Sequence, residues 1–241
     1  MKEFRMLHSD LDMVYFGDRA NCPYGGRSGW EIRSLVESGV EFLVEKWCVI
    51  IILACNTAVA HAIKYLQNEK YPPGSPVKVL GVTVPGAEKV VELWYKKVGV
   101  LATVATVNEG MYRDRVRILS SQTVVQEISA PGLVDLIEKD CRNWELIDRL
   151  LSETLVKFDP DIEVLILGCT HYPILSGKIQ KVWRKFFHRD IILIDPGKEA
   201  AERFTGYLER HSEYAVSRWG VVEVLFSKNS HPRTSQEYFS V

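Results

Sequence analysis

Apolar residues along the chain alternate between short β-branched runs and longer stretches of helical period, the pattern of an α/β protein with a largely parallel sheet. The short runs predict strands over residues 13–16, 49–54, 77–82, 98–102, 124–128, 164–167, 191–194 and 221–226, most of them lying between helices. The helical stretches are 30–47, 57–67, 86–95, 108–119, 133–139, 144–157, 174–187 and 198–211. In the first of these, Ile32, Leu35, Val36, Leu43, Val44 and Trp47 share one face, while Glu31, Arg33, Glu37, Glu41 and Lys46 lie elsewhere. Residues 68–76, NEKYPPGSP, read as a surface connection because prolines and glycine break both periods. A second series of βα units begins after residues 95–97, which places a domain boundary there.

Composition narrows the class without naming it. Thirty Lys plus Arg against 31 Asp plus Glu, in a 241-residue chain that is 46% apolar, argue against a disordered tail and a general nucleic-acid binder. The longest strongly apolar run, residues 48–54, is too short to span a bilayer. Residues 1–9 mix charged and apolar side chains and offer no signal-peptide core, so a cytoplasmic protein with neither membrane nor nucleic-acid partner is expected. The five cysteines, Cys22, Cys48, Cys55, Cys141 and Cys169, are odd in number and contain no CxxC pair. Neither a disulfide framework nor a zinc ribbon fits them, and reduced thiols are the natural reading.

Two of those thiols sit in segments of one form, VIIILACNTA (49–58) and VLILGCTHYP (164–173). Each is a buried-looking strand that ends in a small residue and Cys, followed by hydrogen-bonding residues and a helix. In open α/β sheets, ligands bind at the carboxyl ends of strands, where loops meet helix N-termini. A free cysteine often serves only as a small core hydrophobe. Asn56, Thr57, Thr170 and His171 are not residues an apolar core selects, and a helix N-terminus favours a thiolate. Thr57 and Thr170 also suit helix capping. Three chemistries use paired thiols across a cleft. A redox pair normally keeps its partner within a turn, and Cys55, Cys169 and His171 make a thin zinc set. Proton transfer on both faces of a substrate needs only two thiols in complementary protonation states and no cofactor or metal. The glycines of PYGGRSG (23–29) form no dinucleotide or phosphate loop and read as a turn that brings backbone N–H groups near an anion.

These residues resemble the cofactor-independent glutamate racemases of the aspartate/glutamate racemase superfamily. ACNTA (54–58) and GCTHYP (168–173) carry the resemblance, with YFGD (15–18), PYG (23–25), GVTVPGA (81–87), VGVLATVATV (98–107) and APGLVDLIE (130–138) in the same order. The resemblance implies two pseudo-symmetric parallel-sheet α/β domains, about residues 1–94 plus 207–241 and 95–206, with the active site in the cleft between them. It implies Cys55 and Cys169 as the two proton-transfer residues, one for each direction, with His171 and Glu138 assisting the second. It further implies substrate contacts from Tyr24, Gly25, Asn56, Thr57, Thr103, Thr106 and Thr170, glutamate as substrate, no cofactor, a homodimer, and a supply of D-glutamate for peptidoglycan. Neutral donors suit a substrate that must be held equally well as either enantiomer.

The family opens with a strand and a DSGxGG-type loop, carrying an Asp that assists the first cysteine and a Ser that contacts substrate; residues 1–11 here resemble the tail of the helix that follows. No residue takes those two roles. The missing strand is expected inside the sheet, so that unpaired backbone and apolar surface border the site. The intact thiol motifs favour an internal methionine in a longer reading frame over a degenerate paralogue. Arg19, Asn21, Cys22 and the Asp195-Pro196 step also depart from the family pattern. A racemase for aspartate or another amino acid, and a non-catalytic glutamate-binding paralogue, are the alternative functions.

Overall fold

A computed structural model of the chain describes residues 1–140, 143–214 and 219–227, so Cys141 lies outside the described residues. The order is α1 (Lys2–Leu7), β1 (Met13–Gly17), α2 (Gly29–Glu45), β2 (Ile50–Leu53), α3 (Asn56–Tyr65), β3 (Lys78–Gly81), α4 (Thr83–Glu92) and β4 (Lys97–Ala102). It continues with α5 (Val104–Glu109), α6 (Met111–Leu119), β5 (Val124–Ser129), α7 (Leu133–Asp140), α8 (Trp144–Leu155), β6 (Val164–Gly168), α9 (Ser176–Phe187), β7 (Ile192–Ile194), α10 (Pro196–Arg210) and β8 (Val222–Phe226). All the expected strands form, each within one or two residues of its expected limits.

Every strand pairing is parallel. Strands β5, β4, β6 and β7 make a four-stranded sheet, while β1 pairs with β8 and β2 with β3 as separate two-stranded units. The four-stranded sheet is covered on both faces, as a parallel sheet must be. Alternation assigns its side chains: Leu165 and Leu167 of β6 enter a core with Leu151, Leu155, Ile179 and Trp183, whereas Val164 and Ile166 meet Ala87, Val90 and Val116 on the other side. Gly168 ends β6 because no side chain fits there: a Cβ would come within 2.9 Å of the Ala102 Cβ and 3.2 Å of the Leu101 carbonyl oxygen.

Helix α2 starts at a capping box in which the Ser28 hydroxyl accepts the Glu31 N–H and the Glu31 carboxylate accepts the Ser28 N–H. Its deeply buried positions are Ile32, Val36 and Val40. Trp47, expected on that face, is instead 91% exposed, because the helix ends at Glu45 and the backbone turns left-handed at Trp47 (φ 63°). The expected helix 108–119 is two helices. Thr103 caps α5, which stops at Gly110 in a left-handed conformation (φ 61°), and α6 restarts there. Helix α4 begins before residue 86 since Pro85 falls in its first turn, where proline is tolerated. The unusual Asp195-Pro196 step serves α10: the Asp195 carboxylate accepts the Gly197 N–H at 2.8 Å and Pro196 occupies the first helical position.

The N-terminal helix α1 docks on α10, with the Phe4 and Phe204 ring centroids 5.6 Å apart and the His8 ring 5.2 Å from Phe204. Among the described residues, β1 pairs only with β8 and β2 only with β3, and residues of both β1 and β2 line one cavity.

Candidate active site

Both thiols of the matched elbows line one cavity of about 1930 Å³ at the carboxyl ends of β1, β2, β4 and β6. Cys55 follows β2 and stands at the N-cap of α3. Burial pushes its pKa up, and the N–H groups of Ala58 and Thr57 with the Thr57 hydroxyl oppose that by hydrogen bonding to the sulfur. Cys169 follows Gly168 and is 7% exposed. Burial drives its pKa up to about 12; the His171 N–H pulls it down, and the nearby Cys55, Cys22 and Glu138 charges add to the rise. Burial raises both thiols, and a charge on Cys55 adds to the rise at Cys169, so the two do not ionise independently.

The Cys169 Sγ lies 3.7 Å from His171 Nδ1, and His171 Nε2 hydrogen-bonds the Glu138 carboxylate brought in by α7. The chain Cys169–His171–Glu138 thus joins three residues from two separate elements. On the Cys55 side, Thr57 Oγ1 is 3.0 Å from Thr103 Oγ1 and 3.3 Å from Thr106 Oγ1, and Thr103 is 3.0 Å from Thr106. This ring of hydroxyls ties the start of α3 to the end of β4. Gly25 packs against Thr103 so closely that a Cβ would stand 3.1 Å from the threonine Cβ. Tyr24 donates its hydroxyl to Asp18 at 2.7 Å, and Asn21 holds both oxygens of the same carboxylate at 3.0 Å. Burial and the Asp18 bond push the Tyr24 pKa far up, so it stays a donor.

Of the expected residues, Cys55, Cys169, His171, Glu138, Tyr24, Gly25, Thr57, Thr103 and Thr170 line the cavity. Asn56 and Thr106 are not among its lining residues. Asn56 is 2% exposed, and its side-chain carbonyl accepts the Tyr112 hydroxyl at 2.6 Å; Thr106 stands behind Thr103. Asp18 and Tyr112, which hold Tyr24 and Asn56, were not candidates. Asp18 closes the YFGD block and had that signal; Tyr112 had none, since its partner is remote in sequence. Cys22 also lines the cavity, and burial pushes its pKa up to about 12. Among the described residues, no group of three or more His, Cys, Asp or Glu is arranged to hold a metal ion.

The shifted thiols have a consequence for stability. Cys169 keeps its proton to about 12 when folded against 9.0 for an unperturbed thiol. In that interval the folded state binds more protons than the unfolded one, so stability is full below about 9 and falls as pH rises towards about 12. Denaturant unfolding across alkaline pH is expected to show a falling midpoint, and Cys169→Ala to flatten the decline; an unchanged slope in that variant would assign the effect elsewhere.

Residues 28–204 match the family model described as Asp/Glu/Hydantoin racemase, and the chain belongs to that family of isomerases. Within it, the chain is 36% identical over 191 residues to a glutamate racemase of Streptococcus suis, a match covering 79% of this chain and 69% of that protein. Among solved structures, a glutamate racemase of Bacillus anthracis superimposes with a TM-score of 0.81 at 29% identity, covering 93% of this chain and 81% of that one. The glutamate racemase of Francisella tularensis, solved in complex with D-glutamate, gives 0.81 at 28% identity, covering 96% and 83%. The α/β architecture of two parallel-sheet domains expected from the sequence is that of these neighbours. No described helix is long and apolar enough to cross a membrane.

Proposed function

We propose that the chain interconverts L-glutamate and D-glutamate by two-thiol proton transfer, supplying D-glutamate for peptidoglycan and so for cell-wall biogenesis and cell shape in the bacterial cytoplasm. The observation that carries this reading is the pair of thiols, Cys55 and Cys169, on matching strand-to-helix elbows over one cavity. One thiolate removes the α-proton and the opposite thiol protonates the other face of the carbanion; the roles exchange for the reverse reaction. Cys55 is assisted by the N–H groups at the start of α3, and Cys169 by His171, which Glu138 orients. Tyr24, Gly25, Thr57, Thr103 and Thr170 contact the substrate, while Asn56 and Thr106 hold those contacts from behind. The reaction centre lies between a first domain of about residues 1–94 plus 207–241 and a second of 95–206, and the enzyme works as a homodimer without a cofactor.

Incubation of either glutamate enantiomer in D₂O is expected to give α-deuterated glutamate of both configurations. Absence of exchange by folded protein sinks the proposal, and exchange with aspartate but not glutamate moves the substrate within the same chemistry. The open slot beside Cys55 favours one other reading, a glutamate-binding paralogue without turnover. Calorimetric glutamate binding with no exchange is its signature.

A further inference from the structure

The two residues that follow Cys55 are tied to a different part of the molecule from the one that carries them. Helix α3 packs in the core of the β2–β3 unit, with Ala58, Val59, Ala62 and Ile63 in one cluster with Ile51, Leu53 and Val79. Yet Asn56, its first residue, accepts the Tyr112 hydroxyl at 2.6 Å, and Thr57, its second, meets Thr103 and Thr106. Tyr112 belongs to the core of the four-stranded sheet. Its side chain is 0% exposed in a cluster with Val98, Val100 and Ala102 of β4 and Val164 and Ile166 of β6, the strand that leads to Cys169. The Tyr112–Asn56 bond therefore joins the helix that begins at one thiol to the sheet that ends at the other.

Both ends of the bond are fixed. Helix α6 restarts at the left-handed Gly110, which sets Tyr112 in its first turn, and the next residue, Arg113, reaches the carboxylate of the buried Glu127 side chain on β5 at 3.1 Å. Asn56 is likewise buried, and the Cys55 sulfur rests on the N–H groups of Thr57 and Ala58, one and two residues beyond it. A phenylalanine and an aliphatic residue would fill these two places with no polar atom to satisfy. A phenol and an amide, buried and bonded, cost desolvation and admit one arrangement only. Tyr112 is a permanent donor, because burial holds its phenol pKa well above the ordinary value. The Asn56 carbonyl is thereby committed to Tyr112, and α3 can neither slide nor turn about its axis without breaking the bond.

We propose that Tyr112 is a positioning residue for the reaction: through Asn56 it docks the start of α3 on the four-stranded sheet, which holds the N–H groups of Thr57 and Ala58 on the Cys55 sulfur and sets the spacing of the two thiols. Tyr112 is not among the residues lining the cavity, so it acts only through Asn56. The proposal rests on the two-thiol reading given above, and one arm of its test requires no turnover.

Tyr112→Phe removes one oxygen and keeps the ring. It is expected to lower kcat about tenfold or more with a smaller change in KM, and to lower kcat/KM equally from the two enantiomers. The second arm follows iodoacetamide labelling of Cys55 against pH, resolved by peptide mass spectrometry. Loosened N–H groups are expected to move that profile up by about half a pH unit or more. The ionisable groups that sense Cys55 across the cavity are Tyr15, Cys22, Tyr24 and Cys169. None lies on α3 or α6, and loss of a neutral phenol changes no charge, so the shift reads the docking itself. Asn56→Ala is expected to give the same two effects, and the double variant no more than either alone. Multiplied losses in the double variant would mean that Tyr112 acts by another route. A lowered denaturant midpoint with kcat and labelling unchanged would leave the bond a structural one, and either result overturns the proposal. A shifted labelling profile in a chain that racemises nothing would remove the racemase reading while supporting the docking of Cys55 through Tyr112.

Discussion

Cys55→Ser and Cys169→Ser are each expected to abolish glutamate racemisation, with losses of at least about 10²–10⁴-fold, the usual contribution of a positioned acid or base. Serine nearly matches the shape of cysteine, so the elbows should fold unchanged, but its hydroxyl does not ionise within reach of neutral pH. In the proposed mechanism each thiol meets one face of the α-carbon, and the remaining thiol cannot serve both. The measurement is polarimetric turnover from each enantiomer, with α-hydrogen exchange in D₂O alongside it. Full activity in either variant would reject the two-thiol mechanism, whatever else the fold retains. The environments differ: Cys55 accepts the N–H groups of Ala58 and Thr57 and the Thr57 hydroxyl, whereas Cys169 accepts the His171 N–H and lies 3.7 Å from the His171 ring. His171→Ala is expected to lower kcat/KM equally from the two enantiomers, because both directions pass through both thiols and the equilibrium constant is one, with any asymmetry confined to kcat and KM taken separately.

The second large effect lies in the core beneath the Cys169 elbow. Trp183 is 0% exposed and packs at 5.8 Å from the Phe158 ring and 4.5 Å from Phe187. Trp183→Ala is expected to cost about 3–5 kcal/mol through lost contacts and the cavity left behind. The indole N–H is buried without a hydrogen-bond partner among the described residues, and such a group is costly to leave unsatisfied. Trp183→Phe removes it while keeping an aromatic ring, and is expected to destabilise far less than the alanine variant. Denaturant midpoints of the two variants check this; equal losses would mean that ring size alone decides the site.

Much of this was legible in the chain because a parallel sheet writes itself plainly. The run at β6 is apolar without a break since both faces are covered, and the cysteine that follows marks where the cover ends. Helix limits were harder to read, as at α5 and α6, where one apolar period runs through a left-handed glycine that periodicity does not see. Within the site, residues adjacent in sequence parted company. Thr57 faces the cavity while its neighbour Asn56, about 100° round the helix, turns inward to Tyr112. The bond from Tyr24 to Asp18 and that from Tyr112 to Asn56 arise only when separate elements pack, and no local pattern announces them.

The ring of Thr57, Thr103 and Thr106 hydroxyls has a consequence for reversibility. Each of its contacts can be made with either oxygen as donor, but the Thr57 hydroxyl has one proton, and a thiolate at Cys55 draws that proton to the sulfur. The Thr57 oxygen then accepts from Thr103 or Thr106; once the sulfur is protonated, the Thr57 hydrogen is released to the ring. The polarity of this wall thus follows the charge on Cys55 from one half of a turnover to the next without moving a heavy atom.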